Sequence, residues 1–268
     1  MTNSVYSGYR KSEHRMDVAH WKETFVFDIE TMGVPNKVKE FGKPYPPMSE
    51  VKYGNLKDPI KRQAFFEEKH QAWVDGEADW WEKQYDRAAL DAVTGRIVAI
   101  GYLFPYADHR DASDEEGLQD QVIIDGLSDT GNHDIEEANI LGRFWEYFKH
   151  ASSSYGHIIG HNVENFDLPF IMKRSWQLKV PIAPNAMSGR YWNKSIVDTM
   201  RVWCCHGYKE TISLDNLSKL LGVGRKMANY PALKFAQDWL GGDKDTAEFY
   251  LRTDLTLAHA CYETLYKT

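Results

Sequence analysis

Phe25-Val26-Phe27-Asp28-Ile29-Glu30 is the stretch on which the fold turns. It is rich in β-formers and mostly apolar, the pattern of a central strand covered on both faces. Successive side chains of a strand alternate, so Asp28 and Glu30 project to the same side. Two acids in the middle of an apolar strand are costly to bury unless something positive compensates them. A divalent cation is the usual compensation, and hard oxygen ligands suit Mg²⁺ or Mn²⁺. The alternative is that both acids stand at the strand's exposed end as solvated groups. The local sequence alone leaves both readings open.

Outward from this strand, Arg96 to Phe104 reads as a second strand, entered through Thr94-Gly95 and expected to pair with the first. Gln121 to Asp125 is a shorter third, after an acidic surface loop from Asp108 to Glu116. Glu136 to His150 has Ile140, Leu141, Phe144, Tyr147 and Phe148 at helical spacing. Tyr155 to Gly160 returns to strand, and Phe166 to Lys179 reads as a helix with Pro169 tolerated in its first turn. Beyond Pro181 and Pro184 come a loop-rich stretch and a short strand near Ser195 to Val197. Ser213 is a plausible N-cap for a helix with Leu214, Leu217, Leu220 and Leu221 inward and Gly222 at its end. A last helix runs from about Asp245 to Tyr266.

This order describes a mixed α/β layered domain. About 65 residues between the first two strands exceed any hairpin loop. Their first half, Gly33 to Lys57, is rich in Pro, Gly and Lys and reads as irregular. Their second half, Pro59 to Ala92, is helical in character, with Phe66, Trp73, Trp80 or Trp81, and Tyr85 along one stripe. We read residues 1–268 as a single domain, with residues 1–22 an N-terminal extension and about 33–95 an insertion.

The chain has 268 residues, 43% of them hydrophobic, with 32 Lys plus Arg against 39 Asp plus Glu for a net charge of −7. That balance argues against indiscriminate binding to phosphate backbones, though not against a nucleic-acid enzyme whose cations supply the positive charge. The longest clear apolar run, Ile97 to Phe104, is far shorter than a spanning helix, so no membrane is expected. Met1 to Lys22 lacks the apolar core of a signal peptide. Cys204, Cys205 and Cys261 do not make a disulfide framework, and Cys204-Cys205-His206 lacks a second ligand pair for zinc. A cytoplasmic location is expected.

Two further constellations stand out. His161-Asn162-Val163-Glu164-Asn165-Phe166-Asp167 follows a strand and opens a helix, where an Asp is also favoured by capping and the helix dipole. In Tyr250-Leu251-Arg252-Thr253-Asp254 the phenol and the carboxylate, four residues apart, share a helix face. Asp198, ahead of Thr199-Met200, reads as an N-cap rather than a ligand.

Phe-Asp-Ile-Glu-Thr, His-Asn-x-x-x-Phe-Asp and Tyr-x-x-x-Asp, in this order, resemble the three exonuclease motifs of the DEDD superfamily. The tyrosine four residues before the last aspartate is similar to its tyrosine branch, DEDDy. The nearest likeness is to stand-alone 3′–5′ exonucleases related to the proofreading domain of family B DNA polymerases. The Ser213-Leu214-Asp215-Asn216-Leu217 helix resembles a segment those domains carry before the third motif.

The resemblance implies a ribonuclease H-like α/β fold, a five-stranded mixed sheet flanked by helices. It implies hydrolysis of the terminal phosphodiester with two divalent cations, Mg²⁺ or Mn²⁺, releasing nucleoside monophosphates. Asp28, Glu30 and Asp254 would hold one cation, Asp28 and Asp167 the other, and Tyr250 would orient the attacking water. Thr31, His161, Asn162 and Phe166 are implied at the substrate. Single-stranded DNA with a 3′ end is the expected substrate, with a DNA polymerase or repair factor a possible partner in trans. An exoribonuclease is the alternative, and a non-catalytic nucleic-acid-binding scaffold a further one. Phe41, Tyr45, Trp73, Trp80 and Trp81, with Lys37, Lys39, Lys43, Lys52 and Lys57, make the insertion a candidate border of the strand path, against the plainer reading of a packed helix beside a solvated loop.

Overall fold

The computed structural model describes residues 24–105, 122–154, 156–188, 191–207 and 210–267. The N-terminal extension, the acidic loop from Asp108 to Glu116, and Gln121 and Tyr155 of the expected strands lie outside the described residues. Seven strands are described: β1 (Phe25–Gly33), β2 (Gly95–Leu103), β3 (Val122–Gly126), β4 (Ile158–Gly160), β5 (Met187–Ser188), β6 (Tyr191–Trp192) and β7 (Ile196–Asp198). The described helices are α1 (Pro35–Phe41), α2 (Pro59–Ala88), α3 (His133–Ser153), α4 (Asp167–Leu178), α5 (Thr199–Trp203), α6 (Leu214–Leu221), α7 (Ala232–Gly241) and α8 (Lys244–Lys267).

Five strands form one mixed sheet in the order β3-β2-β1-β4-β7, with β1 at its centre. β1 pairs antiparallel with β2 and parallel with β4. β2 and β3 are antiparallel, whereas β4 and β7 are parallel. This is the ribonuclease H-like arrangement of five strands with helices on both faces.

The alternation along β1 sorts the layers. Phe25, Phe27 and Ile29 enter one core with Phe144 and Phe148 of α3 and Leu168 and Ile171 of α4. Val26 enters the other, with Leu217 of α6, Phe235 and Trp239 of α7, and Leu251, Leu255 and Ala258 of α8. Asp28 and Glu30 follow Val26 in the alternation and so face α8. Gly101, opposite Asp28 in β2, lets α8 lie close, since a Cβ there would stand 2.8 Å from Leu255 and 2.9 Å from Leu251. That close approach sets the third motif against the first.

Several boundaries differ from the sequence expectation. β1 continues to Gly33, carried past Glu30 by a register shift between Glu30 and Thr31. Gly33 to Lys57 is not wholly irregular: Pro35 at the first turn starts α1, and the Gly42 N–H closes it on the Val38 carbonyl. α2 stops at Ala88 rather than Ala92, because residues 89–94 turn into β2. Leu220 points to solvent at 66% exposure, since it lies at the outer edge of the α6 apolar stripe, about 60° beyond Leu217 and about 120° from Leu214. The β5–β6 pair falls within the stretch whose sequence reads as loop, α5 follows the N-cap expected at Asp198, and α7 lies where the sequence reading assigns no element. The expected caps are present, as Ser213 accepts the Asn216 N–H and Gly222 closes α6 at φ 71°.

Candidate active site

β1 supplies Asp28 and Glu30, and one face of α8 supplies Tyr250 and Asp254. One carboxylate oxygen from each of Asp28, Glu30 and Asp254 lies within 4.8 Å of the others. Asp167 is the first residue of α4, and its Oδ1 accepts the Ile29 N–H at 3.2 Å, which seats its carboxyl against the peptide between the two β1 acids. Asp28, Glu30 and Asp254 therefore meet, although they come from opposite ends of the described chain, and Asp167 is tied to the same strand from its middle. Glu30, Asp167 and Asp254 are buried, and Asp28 is half-buried at the mouth.

The electrostatics are those of like charges forced together. Burial, then the charge of Asp254, pushes Asp28 up from 3.8 to about 7, against the pull of Lys226 and the Ile29 N–H. Burial and the neighbouring Asp28 hold both Glu30 and Asp167 well above the ordinary carboxylate range. Burial also raises Asp254, while Lys226 and Tyr250 act on it in the opposite direction. Burial, then Asp254 and Glu30, raises the Tyr250 phenol, so it stays protonated at neutral pH.

Lys226 is the residue that sequence reasoning missed. Its Nζ lies 2.5 Å from Asp254 Oδ2, donates to the Tyr250 hydroxyl at 3.1 Å, and stands over the Tyr250 ring at 5.0 Å. Asp215 of α6 fixes this loop by accepting the Lys226 backbone N–H at 3.1 Å. Lys226 sits in an irregular turn without periodicity, and the only nearby sequence signal is the Asp215 segment. Tyr230, also unforeseen, packs on the Tyr250 ring with centroids 4.6 Å apart.

Asp28, Glu30 and Asp254 line a cleft of about 270 Å³ whose walls include Thr31, His161, Asn162 and Phe166. Some of these groups are already engaged. The Thr31 hydroxyl donates to the Ala89 carbonyl at 2.6 Å. The His161 ring bonds through Nδ1 with the Thr199 hydroxyl at 2.9 Å and through Nε2 with the Ile212 carbonyl at 2.8 Å. Burial lowers its pKa, so it acts as a neutral strut. Asp198 caps α5 through the Met200 and Arg201 N–H groups and also accepts those of Asn162 and Glu164. It holds the Asp167 loop in place and is no part of the carboxylate cluster.

The donor set fits a hard divalent cation. Asp254 Oδ1 is buried with no hydrogen-bond partner, a costly state that a cation would relieve. Among the described residues no other group of three or more His, Cys, Asp or Glu is placed to hold a metal, Cys204 and His206 included. Because the folded-state pKa of these acids is raised, the metal-free fold binds more protons than the unfolded chain between about pH 4 and 7 and loses stability as pH rises through that window. A bound cation removes that penalty. Mn²⁺ is expected to raise the melting temperature more at pH 8 than at pH 5.5, measured by thermal scans with and without the ion. An equal rise at both values would contradict it.

Fold and acids together define the class: a ribonuclease H-like domain with a carboxylate cleft beside its central strand. Residues 97–201, from β2 to α5, match the family model described as DNA polymerase family B, exonuclease domain. The match takes in Asp167, while Asp28, Glu30, Tyr250 and Asp254 lie outside it and join the site through the fold. The similarity supports a DEDD-type 3′–5′ exonuclease domain, with nucleic acid as substrate and divalent metal ions as the helpers such domains normally use. No curated protein and no solved structure matches the chain. Among the described residues no helix is long and apolar enough to cross a membrane.

Proposed function

We propose that the protein is a 3′–5′ exodeoxyribonuclease of the tyrosine branch that shortens single-stranded DNA by one nucleoside monophosphate at a time. The observation that carries this reading is the meeting of Asp28, Glu30 and Asp254 beside Tyr250 in one cleft, with Asp167 tied to the same strand through the Ile29 N–H. Asp28, Glu30 and Asp254 would hold one divalent cation, and Asp28 with Asp167 a second. Such a pair supplies a water of lowered pKa and neutralises charge at the phosphorus.

The remaining work falls to the chain's own groups. Tyr250, kept protonated by its buried acidic surroundings, positions the attacking water through its hydroxyl and is a poor base. Lys226 offers its ammonium to a phosphate oxygen where charge builds up. Lys226→Met is expected to lower turnover by ~10²-fold, the cost of one lost donor to developing charge. Mn²⁺ affinity should be retained or tightened, because a competing cation at Asp254 is gone. Unchanged turnover, read together with a Mn²⁺ titration, would remove Lys226 from the chemistry.

The test of the function is digestion of 5′-labelled oligonucleotides with Mn²⁺. The reading predicts a ladder of DNA products shortened stepwise from the 3′ end, with RNA of the same sequence cut more slowly. Faster cutting of RNA would make the protein an exoribonuclease. No cutting of either would leave a nucleic-acid-binding scaffold. A DNA polymerase or repair factor served in trans belongs to the same proposal.

A further inference from the structure

α2 is thirty residues long, yet Ala88 is its only buried residue. Its C-terminal end is locked to the sheet beside the cleft. A Cβ at Gly33 would stand 2.5 Å from the Tyr85 carbonyl oxygen, and one at Gly95 2.5 Å from that of Ala88. The Thr31 hydroxyl bonds to Ala89, and Leu90 lines the cleft wall. From this rim the helix leads away, its aromatic face covered along part of its length by the 42–57 loop, whose Tyr45 ring lies between those of Trp73 and Trp80 and whose Pro46 carbonyl accepts the Trp73 indole N–H.

Its side chains are sorted around the axis. At 3.6 residues per turn, Phe66, His70, Trp73, Trp80 and Trp81 fall on one stripe. Their rings lie in sequence along it: Phe66 on His70 at 6.0 Å, His70 to Trp73 at 5.9 Å, Trp73 to Tyr45 at 5.3 Å and Tyr45 to Trp80 at 6.0 Å. Arg62, Lys69, Lys83 and Arg87 run along one edge of that stripe. Glu68, Asp75, Asp79, Glu82 and Asp86 occupy the back together with Lys61, Glu77 lies on the aromatic face, and Glu67 stands at its other edge in line with Tyr85. Between loop and helix lies a hollow of about 260 Å³ walled by Phe65 and Trp73 and flanked by the ammonium groups of Lys52 and Lys69, with Glu50 its one acid.

We propose that this arm is the track for the single strand that trails from the 3′ end held in the cleft. Bases stack on the rings of the stripe that the 42–57 loop leaves open, Phe66 and His70 foremost, and phosphates meet the basic edge. The charge sorting selects this occupant: an uncharged partner would need no basic edge, whereas a strand needs rings and cations side by side. From Tyr85 to Phe66 the helix rises ~28 Å, room for roughly eight nucleotides at the ~3.4 Å spacing of a stacked strand. The inference rests on the nuclease reading, since the cleft must hold the 3′ end for the arm to receive the upstream nucleotides.

Two measurements on the full chain separate the two ideas. The first is binding of fluorescent dT4 and dT12 to the Asp28→Asn protein, monitored by anisotropy. The track predicts at least ten-fold tighter binding of dT12, with the advantage lost in an added Arg62→Glu/Lys69→Glu pair and reduced ~5- to 100-fold by Phe66→Ala. All three side chains are exposed, but Arg62 also donates to the Leu56 carbonyl and stands over the Tyr53 ring, so Lys69→Glu alone serves as the variant that leaves this loop contact intact and should lose part of the same advantage; circular dichroism checks each fold. The second is turnover of a dT12 strand relative to the p-nitrophenyl ester of thymidine 5′-phosphate, which is too short to reach the arm. The charge pair should lower that ratio about ten-fold. Equal affinity for dT4 and dT12, or a length advantage that survives the charge pair, would overturn the track. Failure of the unaltered protein to cleave the ester would instead count against the nuclease reading and leave the binding result to decide the arm.

Discussion

Asp28→Asn is expected to stabilise the metal-free protein at pH 8 while abolishing hydrolysis. Asp28 sits against Glu30 and Asp254 in a buried cleft, and its pKa of about 7 means that ionising it at pH 8 works against the fold. The rise from 3.8 to about 7 sets an upper bound of about 4 kcal/mol on that strain. Relaxation of the cleft reduces it, and a gain of ~1–2 kcal/mol is expected at pH 8. Below pH 4 the carboxyl is protonated in folded and unfolded chains alike, so the gain should vanish. Hydrolysis should fall by ~10³-fold or more, because the amide cannot share a cation with Glu30, Asp167 and Asp254. Denaturant unfolding at pH 8 and pH 4, with a nuclease assay, checks both halves. A variant less stable than the parent at pH 8, or one that still cuts, would contradict the account.

The second large effect lies away from the cleft. Glu137 of α3 and Arg174 of α4 form an ion pair with both side chains fully buried, Arg174 donating through Nε and Nη2 at 2.7 Å to the two carboxylate oxygens. Glu137 Oε1 also accepts the Ile97 N–H of β2 at 3.0 Å. Arg174 passes a further bond to Gln177, whose amide donates to the Ala92 carbonyl where the insertion returns to the sheet. Removing either charge strands the other in a medium that cannot solvate it. Arg174→Met is expected to cost ~3–5 kcal/mol, and pairing it with Glu137→Leu should recover a large part of that. Chemical denaturation of the two variants tests this, and a loss under ~1 kcal/mol for Arg174→Met would show that water reaches Glu137.

The sheet was legible because its strands announce themselves. Phe25–Gly33 and Gly95–Leu103 are long, apolar and flanked by breakers, and the alternation in the first put Asp28 and Glu30 on one face. Asp167 and Asp254 were legible through motif spacing, not through anything local, since each could have been a solvated helix residue. Lys226 and the Glu137–Arg174 pair were not legible. In sequence both look like ordinary surface charges, and only the tertiary fold shows one among acids and the other cut off from water. The short elements α1 and β5–β6 escaped for a related reason: with two to seven residues each, they owe their form to capping and neighbours rather than to a periodic pattern.

The central claim is that Asp28, Glu30 and Asp254 hold a cation together, and calorimetric titration of Mn²⁺ at pH 8 tests it most directly. The account predicts saturable binding to the unaltered protein that weakens as pH falls below about 7, with at least ten-fold loss in each of Asp28→Asn, Glu30→Gln and Asp254→Asn. Binding indifferent to all three substitutions would place the metal elsewhere and contradict it.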